Sequence, residues 1–304
     1  MRTSFVEALV KIAESDKRVM LLTADLGFMA LEPFSEKFPD RFINVGVAEQ
    51  NMIGIATGLA EAGFIPFVYS IVTFATLRPY EFIRNGPILH NLPVRIVGIG
   101  GGFEYSNAGN SHHGIDDVGA LRVQPGLQIF SPADGGQTKT VIEKTWHLPG
   151  PIYYRLGKDD RLVIPELNGR FELDSVQTIH DGKDCLILTM GSIANEAAKA
   201  AVLLKEKGIN AKVATVASLN PAPVEAIKTL LKDFSNVYTL EAHYISGGLG
   251  STICEIIAEN ALPTKVTRLG IRKMTDGKTG NQSYFHDLHG LSAEKVVANI
   301  LQNR

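Results

Sequence analysis

The sequence predicts an α/β protein built from two three-layer domains, each with a mostly parallel sheet. Two observations lead to this prediction. Apolar, strand-like runs alternate with amphipathic helical segments along nearly the whole chain, which is typical of a parallel sheet covered by helices on both faces. In addition, 304 residues are enough for two domains of ordinary size, each with its own core.

The composition excludes several classes of protein. With 30 basic and 32 acidic residues, the chain shows no charge excess that would indicate a nucleic-acid or membrane-surface partner. Only Cys185 and Cys254 are present, far apart, so we expect neither a disulfide framework nor a cysteine metal site. The longest uncharged apolar run, 64–77, is too short to span a bilayer, and Glu7 argues against a signal peptide. We therefore expect a cytoplasmic protein.

The first domain is predicted to cover residues 1–160. Its first helix has apolar residues at helical spacing, and Ser4 and Glu7 have the spacing of a capping box. A long glycine-rich loop, GIGGGFEYSNAGNSHHG, ends near Gly114. The strands of this domain are predicted at 19–23, 42–45, 65–69, 94–98, 127–130 and 152–155. Two of its other helices are predicted at 49–62 and 115–122. Three more helices are predicted, one that ends near 38, one that starts at 76 and one that starts at 131.

Residues 161–183 lose this periodicity and are rich in Gly, Pro, Asp and Asn, which predicts a linker. A second α/β domain follows at 184–304. Its glycine cluster at 246–250 lacks the spacing of nucleotide-phosphate motifs, so tight packing is favoured over a phosphate site. The elements of this domain are predicted as strands at 185–190, 211–216, 237–241 and 265–269, and as helices at 194–207, 223–232, 251–258 and 293–301.

The segment RFINVGVAEQNM, residues 41–52, carries the main candidate for chemistry. It predicts a short strand, a turn at Gly46 and a helix whose first turn contains Glu49. The free amides and the dipole of a helix start favour an ionised carboxylate, and open α/β sheets form their ligand crevices near such strand ends. The small residues Gly54 and Gly58 leave the helix narrow, so another molecule can approach closely. Judged by residue type alone, Glu49 could also be an ordinary helix-start acid.

The stretch GVAEQNMIGIATGLA, followed by GFIPFVYSIVTF, resembles the pyrimidine-binding domain of transketolases and their thiamine-diphosphate-dependent relatives. The resemblance extends over nearly the whole chain and implies a pyrimidine-binding domain followed by a transketolase-type C-terminal domain. In that family the Glu of the AEQ motif hydrogen-bonds the cofactor's aminopyrimidine, which implies a catalytic and cofactor-binding role for Glu49. An aromatic residue of the TF pair stacks on the pyrimidine in that family, which implies a cofactor-binding role for Phe74, with core packing as the alternative.

Three further residues are candidates for substrate contacts. The SHHG segment resembles a transketolase segment whose first His contacts substrate oxygens, which implies catalytic and substrate-binding roles for His112 and, after it, a catalytic role for His113. Adjacent histidines cannot both point the same way, so one is expected to be structural. Arg155 ends the strand IYYR, and the resemblance implies that it binds a substrate phosphate or carboxylate. Pairing with Asp159 or Asp160 is the alternative.

One half of a thiamine-diphosphate site is missing from this chain. The family holds the diphosphate and its divalent metal with a Gly-Asp-Gly motif and a downstream Asn, and no GDG occurs here. The resemblance therefore implies a split enzyme in which thiamine diphosphate is shared with a separate N-terminal subunit. That subunit is expected to hold Mg²⁺ or Ca²⁺, with no metal ligand in this chain. The expected assembly is α2β2, and the chain alone is expected to be inactive.

The expected reaction is transfer of a two-carbon ketol unit between carbonyl compounds. Two departures affect the substrate: glycines stand at 100–102, where sugar-phosphate transketolases have a His, and Ala108 falls where they have an Asp that contacts a donor hydroxyl. Loss of such polar contacts implies a donor other than an ordinary ketose phosphate. Alternatives are the beta subunit of a 2-oxo-acid dehydrogenase, a deoxyxylulose-phosphate-synthase-like enzyme and a non-catalytic scaffolding half.

Overall fold

The computed structural model describes residues 1–274 and 276–303 and contains two mostly parallel sheets flanked by helices, as predicted. The strands are, in chain order, β1 (Val19–Thr23), β2 (Phe42–Asn44), β3 (Ile65–Ile71), β4 (Arg95–Ile99), β5 (Gln128–Phe130), β6 (Ile152–Leu156), β7 (Gln177–His180), β8 (Cys185–Thr189), β9 (Ala211–Thr215), β10 (Ser218–Asn220), β11 (Asn236–Tyr244) and β12 (Lys265–Ile271). One sheet has the order β10-β5-β6-β4-β3-β1-β2, and the other has the order β12-β11-β8-β9-β7.

Helices cover both faces of each sheet, and their apolar stripes form the cores. The α-helices are α1 (Arg2–Ser15), α2 (Glu32–Lys37), α3 (Glu49–Glu61), α4 (Val72–Thr76), α5 (Tyr80–Ile83), α6 (Asp117–Arg122), α7 (Gly135–Thr145), α8 (Ala194–Glu206), α9 (Val224–Leu231), α10 (Leu249–Glu259), α11 (Gln282–Leu288) and α12 (Ala293–Gln302). In the part of the chain that the structure describes, no helix combines the length and apolarity needed to cross a membrane.

The predicted linker is shorter than the sequence indicated. Strand β7 lies inside the range 161–183 and pairs antiparallel with β9 at the edge of the second sheet. Earlier in the same range, Ile164 and Phe171 are each only 2% exposed. The first sheet also contains a strand from the second half of the chain, because β10 pairs antiparallel with β5. Strands β7 and β10 are too short for the alternation of apolar and polar residues to be recognised in the sequence.

Several helix starts differ from the prediction. The helix predicted to start at 76 is wrong, because α4 ends at Thr76 and α5 begins at Tyr80. Helix α1 begins at Arg2 with Met1 as its N-cap, so the capping box predicted from Ser4 is wrong. Helix α7 begins at Gly135 rather than at 131, because the side chain of Asp134 accepts a hydrogen bond from the backbone N–H of Gln137 at 2.8 Å. An Asp at that position satisfies an amide that the helix itself leaves unpaired.

Tight packing at the glycine cluster 246–250 is confirmed. The buried carboxylate of Glu241 accepts hydrogen bonds from the backbone N–H groups of Leu249 (2.8 Å) and Gly250 (3.0 Å) at the start of α10. A Cβ at Gly248 would collide with the same carboxylate. The amides that could have held a phosphate are therefore occupied by a side chain of the protein itself.

Strand direction gathers the candidate residues at one edge of the first sheet. Strands β1 to β4 are parallel, so their carboxyl ends lie on the same side. Glu49 follows β2, Phe74 follows β3, and His112 lies in the long loop after β4. This is the edge at which ligands bind in open α/β sheets.

Candidate functional site

Three of the predicted residues form one cluster, together with an arginine. The Nη1 atom of Arg78 lies 2.7 Å from Oε2 of Glu49, and its Cζ atom lies 4.2 Å from the centre of the Phe74 ring. The ring of His112 approaches the same Phe74 edge-on, with 5.0 Å between the ring centres. The cluster is thus a row of contacts: the buried acid pairs with the cation, the cation covers the aromatic ring, and the imidazole packs against that ring.

Glu49 is the first residue of α3 and is only 1% exposed. A carboxylate at that depth costs free energy unless it is paired or hydrogen-bonded. The ion pair to Arg78 and the positive end of the α3 dipole both stabilise it. The chain therefore holds a buried carboxyl group, paired with Arg78, at the sheet edge.

Phe74 lies in α4, which begins directly after the last residue of β3. Its ring is half-buried, and its ring contacts are polar, namely Arg78 and His112. The neighbouring Thr73 donates a hydrogen bond from Oγ1 to the carbonyl of Ser111 at 2.9 Å, which ties the loop of His112 to α4. This environment differs from ordinary core packing and leaves an aromatic face beside the acid.

His112 ends a short 3₁₀ turn, Asn110–His112, and is half-buried. Its Nδ1 atom lies 3.0 Å from the hydroxyl oxygen of Ser111, which orients the ring. A backbone bridge between Gly102 and Gly114 closes the glycine-rich loop at its base. The loop therefore presents His112 on the Phe74 side in a defined orientation.

His113 points in the other direction. It is 3% exposed, and its ring packs edge-on against Phe103 (5.2 Å) and against Phe285 of α11 (5.0 Å). Burial lowers the pKa of this imidazole. This placement removes His113 from the candidate site, because its ring lies among aromatic side chains that connect the two halves of the chain.

Arg155 is placed differently from the expectation. It is 4% exposed, and its Nε atom donates to Oδ2 of Asp117 at 2.9 Å, while Nη2 donates to the carbonyls of Gly114 (2.7 Å) and Ala242 (3.1 Å). Burial alone would lower the pKa of the guanidinium, but the charge of Asp117 raises it. In this structure Arg155 is thus engaged by the protein itself, and its role as a substrate anchor stays a prediction.

The acid that pairs with Arg155 was also not the one expected. The sequence suggested Asp159 or Asp160, which are close in the chain. Asp160 instead accepts a hydrogen bond from the amino group of Met1 at 2.8 Å. Asp117 is 38 positions away from Arg155 and meets it only through the packing of α6 against the sheet.

Arg78 is the site residue that sequence reasoning missed. It lies four positions after Phe74, so a helix continuing through this segment would place the two side chains on one face. This spacing of four residues, together with the acid already identified at Glu49, was the sequence signal that could have identified Arg78. Its contacts also show what the site can hold: a flat group that donates an N–H to Glu49 and covers the ring of Phe74.

Replacing Arg78 by leucine is expected to destabilise the chain by about 2 kcal/mol, because the buried carboxylate of Glu49 loses a charged hydrogen bond. The expected loss of stability is smaller than that for breaking a fully buried ion pair, because the Arg78 side chain is 37% exposed. The free energy of unfolding in urea measures the effect. The matched control is Arg84→Leu, since Arg84 is exposed and bonds Asn85. Equal stability of the two variants would contradict a stabilising role for the pair.

The described residues contain no group of three or more His, Cys, Asp or Glu side chains able to hold a metal ion. An organic cofactor suits the cluster better. Glu49 offers a buried acceptor and Phe74 an aromatic face, and the planar guanidinium of Arg78 engages both at once. An aminopyrimidine has the same two properties, an N–H donor and a flat ring, so the residues present fit that group.

Comparison with known proteins identifies the family of the chain. Residues 1–161 match the family described as "Transketolase, pyrimidine binding domain", and residues 174–296 match "Transketolase, C-terminal domain". The chain is 36% identical to a putative transketolase C-terminal section from Methanocaldococcus jannaschii, covering 99% of this chain and 95% of that protein. It is 32% identical to an apulose-4-phosphate transketolase subunit from Phocaeicola vulgatus, covering 99% of this chain and 96% of that protein.

A solved structure, described as a split gene transketolase in an inactive beta4 tetramer, is also similar. It superimposes with a TM-score of 0.88 at 33% identity, covering 99% of this chain and 96% of that chain. Family models, relatives and structure therefore agree over almost the full length. The chain belongs to the transketolase family and carries its pyrimidine-binding and C-terminal domains.

Proposed function

We propose that this chain is the C-terminal subunit of a split, thiamine-diphosphate-dependent transketolase that transfers a two-carbon ketol unit between carbonyl compounds. The observation that carries the proposal is the meeting of Glu49, Phe74 and His112 at the carboxyl edge of the first sheet. That edge offers an acid, a stacking surface and an imidazole in one place. The family membership supports the same assignment.

Glu49 and Phe74 would hold the aminopyrimidine of the cofactor. When bound, thiamine diphosphate supplies the nucleophile that takes up the two-carbon unit. Glu49 Oε2 would share a proton with the ring nitrogen of the pyrimidine, while Phe74 would keep the ring in place by stacking. Because Arg78 makes both contacts in this structure, it has to release Glu49 when an aminopyrimidine takes its place.

His112 would handle protons of the substrate. Its Nδ1 atom is held by the hydroxyl of Ser111, which leaves Nε2 as the nitrogen that can serve a substrate oxygen. An imidazole can donate and accept a proton near neutral pH. His112 therefore orients the donor's hydroxyl or carbonyl and shuttles its proton, beside the cofactor contacts of Phe74.

A partner subunit would complete the site. Large apolar side chains are exposed close to the same sheet edge: Phe28 is 87%, Met29 92% and Val47 75% exposed. Exposed apolar groups gathered near a site favour a covering protein surface. On α3, a Cβ added at Gly54 or Gly58 would have no atom of the described residues within 4 Å, so another chain can approach closely.

We propose that the partner is a separate N-terminal subunit, which binds the diphosphate and Mg²⁺ or Ca²⁺ in an α2β2 assembly. The absence of a GDG motif from this chain supports that division. The similar split gene transketolase is described as inactive when it is a beta4 tetramer, which supports a dependence on the other subunit.

The donor substrate would differ from an ordinary ketose phosphate in the chemical groups that the site recognises. The glycines at 100–102 leave no space for a polar side chain: a Cβ at Gly100 would overlap Tyr105, and one at Gly101 would lie 2.7 Å from Cζ of Arg155. A histidine therefore cannot stand there without rearrangement. The relative from Phocaeicola vulgatus is named for apulose-4-phosphate, so unusual ketose phosphates belong in the substrate panel.

The direct test is reconstitution with a candidate N-terminal subunit, thiamine diphosphate and Mg²⁺. Formation of sugar products is measured for a panel of ketose donors and aldehyde acceptors, and 2-oxo-acid decarboxylation is measured in parallel. Ketol transfer only with both subunits present is the expected result. Decarboxylation without ketol transfer would favour a 2-oxo-acid dehydrogenase subunit, and neither activity would favour a non-catalytic half.

A further inference from the structure

A cavity of about 650 Å³ lies in the C-terminal domain and shares no residue with the Glu49 cluster. It is formed by the carboxyl end of β12, by residues 272–274, 276 and 278, by the end of α11 and by one face of α12. Five cationic side chains line this basic pocket, and Asp276 is the carboxylate among its described lining residues. The cations are Arg268, Arg272, Lys273, Lys278 and Lys295.

None of the five cations of the basic pocket forms an ion pair within residues 1–274 and 276–303. Arg268 is close enough to the buried carboxylate of Glu241 to favour its charged form, and the other four cations are exposed. The guanidinium of Arg268 donates to the carbonyl of Ile245 at 2.9 Å, and that of Arg272 donates to the carbonyl of Arg268 at 3.1 Å. These hydrogen bonds to neutral carbonyl groups orient the two guanidinium groups and leave their charge in place. A concave surface of one sign concentrates ions of the opposite sign.

The wall of the basic pocket includes an imidazole. His289 lines the pocket, and its ring stacks on Phe103 with 5.3 Å between the ring centres. Its Nε2 atom is buried and has no hydrogen-bond partner among the described residues. This imidazole therefore shapes the pocket, while the cations supply its charge.

We propose that the basic pocket binds a small phosphorylated molecule through its phosphate or diphosphate group. The cavity has the volume of a small-molecule site rather than of a macromolecular interface. Arginine and lysine side chains together match the oxygens of a phosphoryl group, and five cations outnumber the one carboxylate that lines the pocket and the buried Glu241 beside Arg268. This inference stands apart from the proposed function, because a pocket can bind phosphate whether or not the chain transfers ketol units.

The test is calorimetric titration of inorganic pyrophosphate into the full chain alone, in buffer without phosphate. Leaving out the partner removes any diphosphate site that the partner carries. The test variant is Arg272→Gln/Lys295→Gln, which neutralises two exposed cations on opposite walls. The control is Lys205→Gln/Lys207→Gln, which removes the same charge from exposed positions near the end of α8.

We expect the test variant to raise the dissociation constant at least ten-fold and the control to change it less than two-fold. Absence of pyrophosphate binding, or equal weakening by both variants, would overturn the proposal, since the second result would reflect net charge alone. Titrations of ADP and of ribose 5-phosphate then identify the source of the phosphate. Tighter binding of ADP than of pyrophosphate supports a nucleotide, and tighter binding of ribose 5-phosphate supports a sugar phosphate.

Discussion

Replacing Glu49 by glutamine should lower the ketol-transfer turnover of the reconstituted complex by about 10³-fold, the size of a lost general acid–base contribution. Glutamine keeps the length and the hydrogen-bonding capacity of the side chain but cannot take up or release a proton at Oε2. Glu49 is 1% exposed, so water cannot easily replace it in that task. The measurement is steady-state turnover at saturating thiamine diphosphate, with thermal unfolding recorded to verify that the variant is folded.

The matched control is Glu61→Gln at the other end of α3. Glu61 is exposed, so its replacement should leave turnover close to that of the original complex. A Glu49→Gln complex that turned over at a near-normal rate would remove Glu49 from the catalytic role, whatever its effect on stability.

The second large effect concerns stability. Replacing Asp117 by asparagine should reduce the free energy of unfolding by about 3 kcal/mol, because the guanidinium of Arg155 would remain buried without its hydrogen-bonded carboxylate. Asp117 is 0% exposed and also accepts a hydrogen bond from the hydroxyl of Tyr153 at 2.7 Å. Urea denaturation of the chain alone measures this loss.

The double variant Asp117→Leu/Arg155→Leu is the informative companion. Removing both charges together should cost less than removing Asp117 alone, because no buried charge is then left unpaired. If Asp117→Asn were as stable as the original chain, and Arg155→Leu raised only the KM for an anionic substrate, Arg155 would return to the role of substrate anchor.

The features that the sequence predicted well are those with a long local signal. The strand–turn–helix around Glu49 was predictable because β2, Gly46 and the thirteen-residue α3 follow one another without interruption. The alternation of strands and helices likewise predicted which loops end at the ligand edge. The neighbourhood of Glu49, Phe74 and His112 followed from that order and from the family resemblance.

The features that it missed depend on contacts between distant segments. The three-residue strand β10 is a strand only because it pairs with β5, about ninety positions earlier. Arg155 is buried and ion-paired because Asp117, 38 positions away, is packed against it. His113 and His112 are adjacent in sequence, and their different surroundings come from Phe285 in α11, a helix that the sequence analysis did not predict.

The measurement that tests the central claim most directly is calorimetric binding of thiamine diphosphate with Mg²⁺, first to this chain alone and then to its mixture with the N-terminal subunit. A site shared between two chains predicts tight binding only in the mixture. Tight binding by this chain alone would contradict the account, because a complete diphosphate site would then lie within these 304 residues.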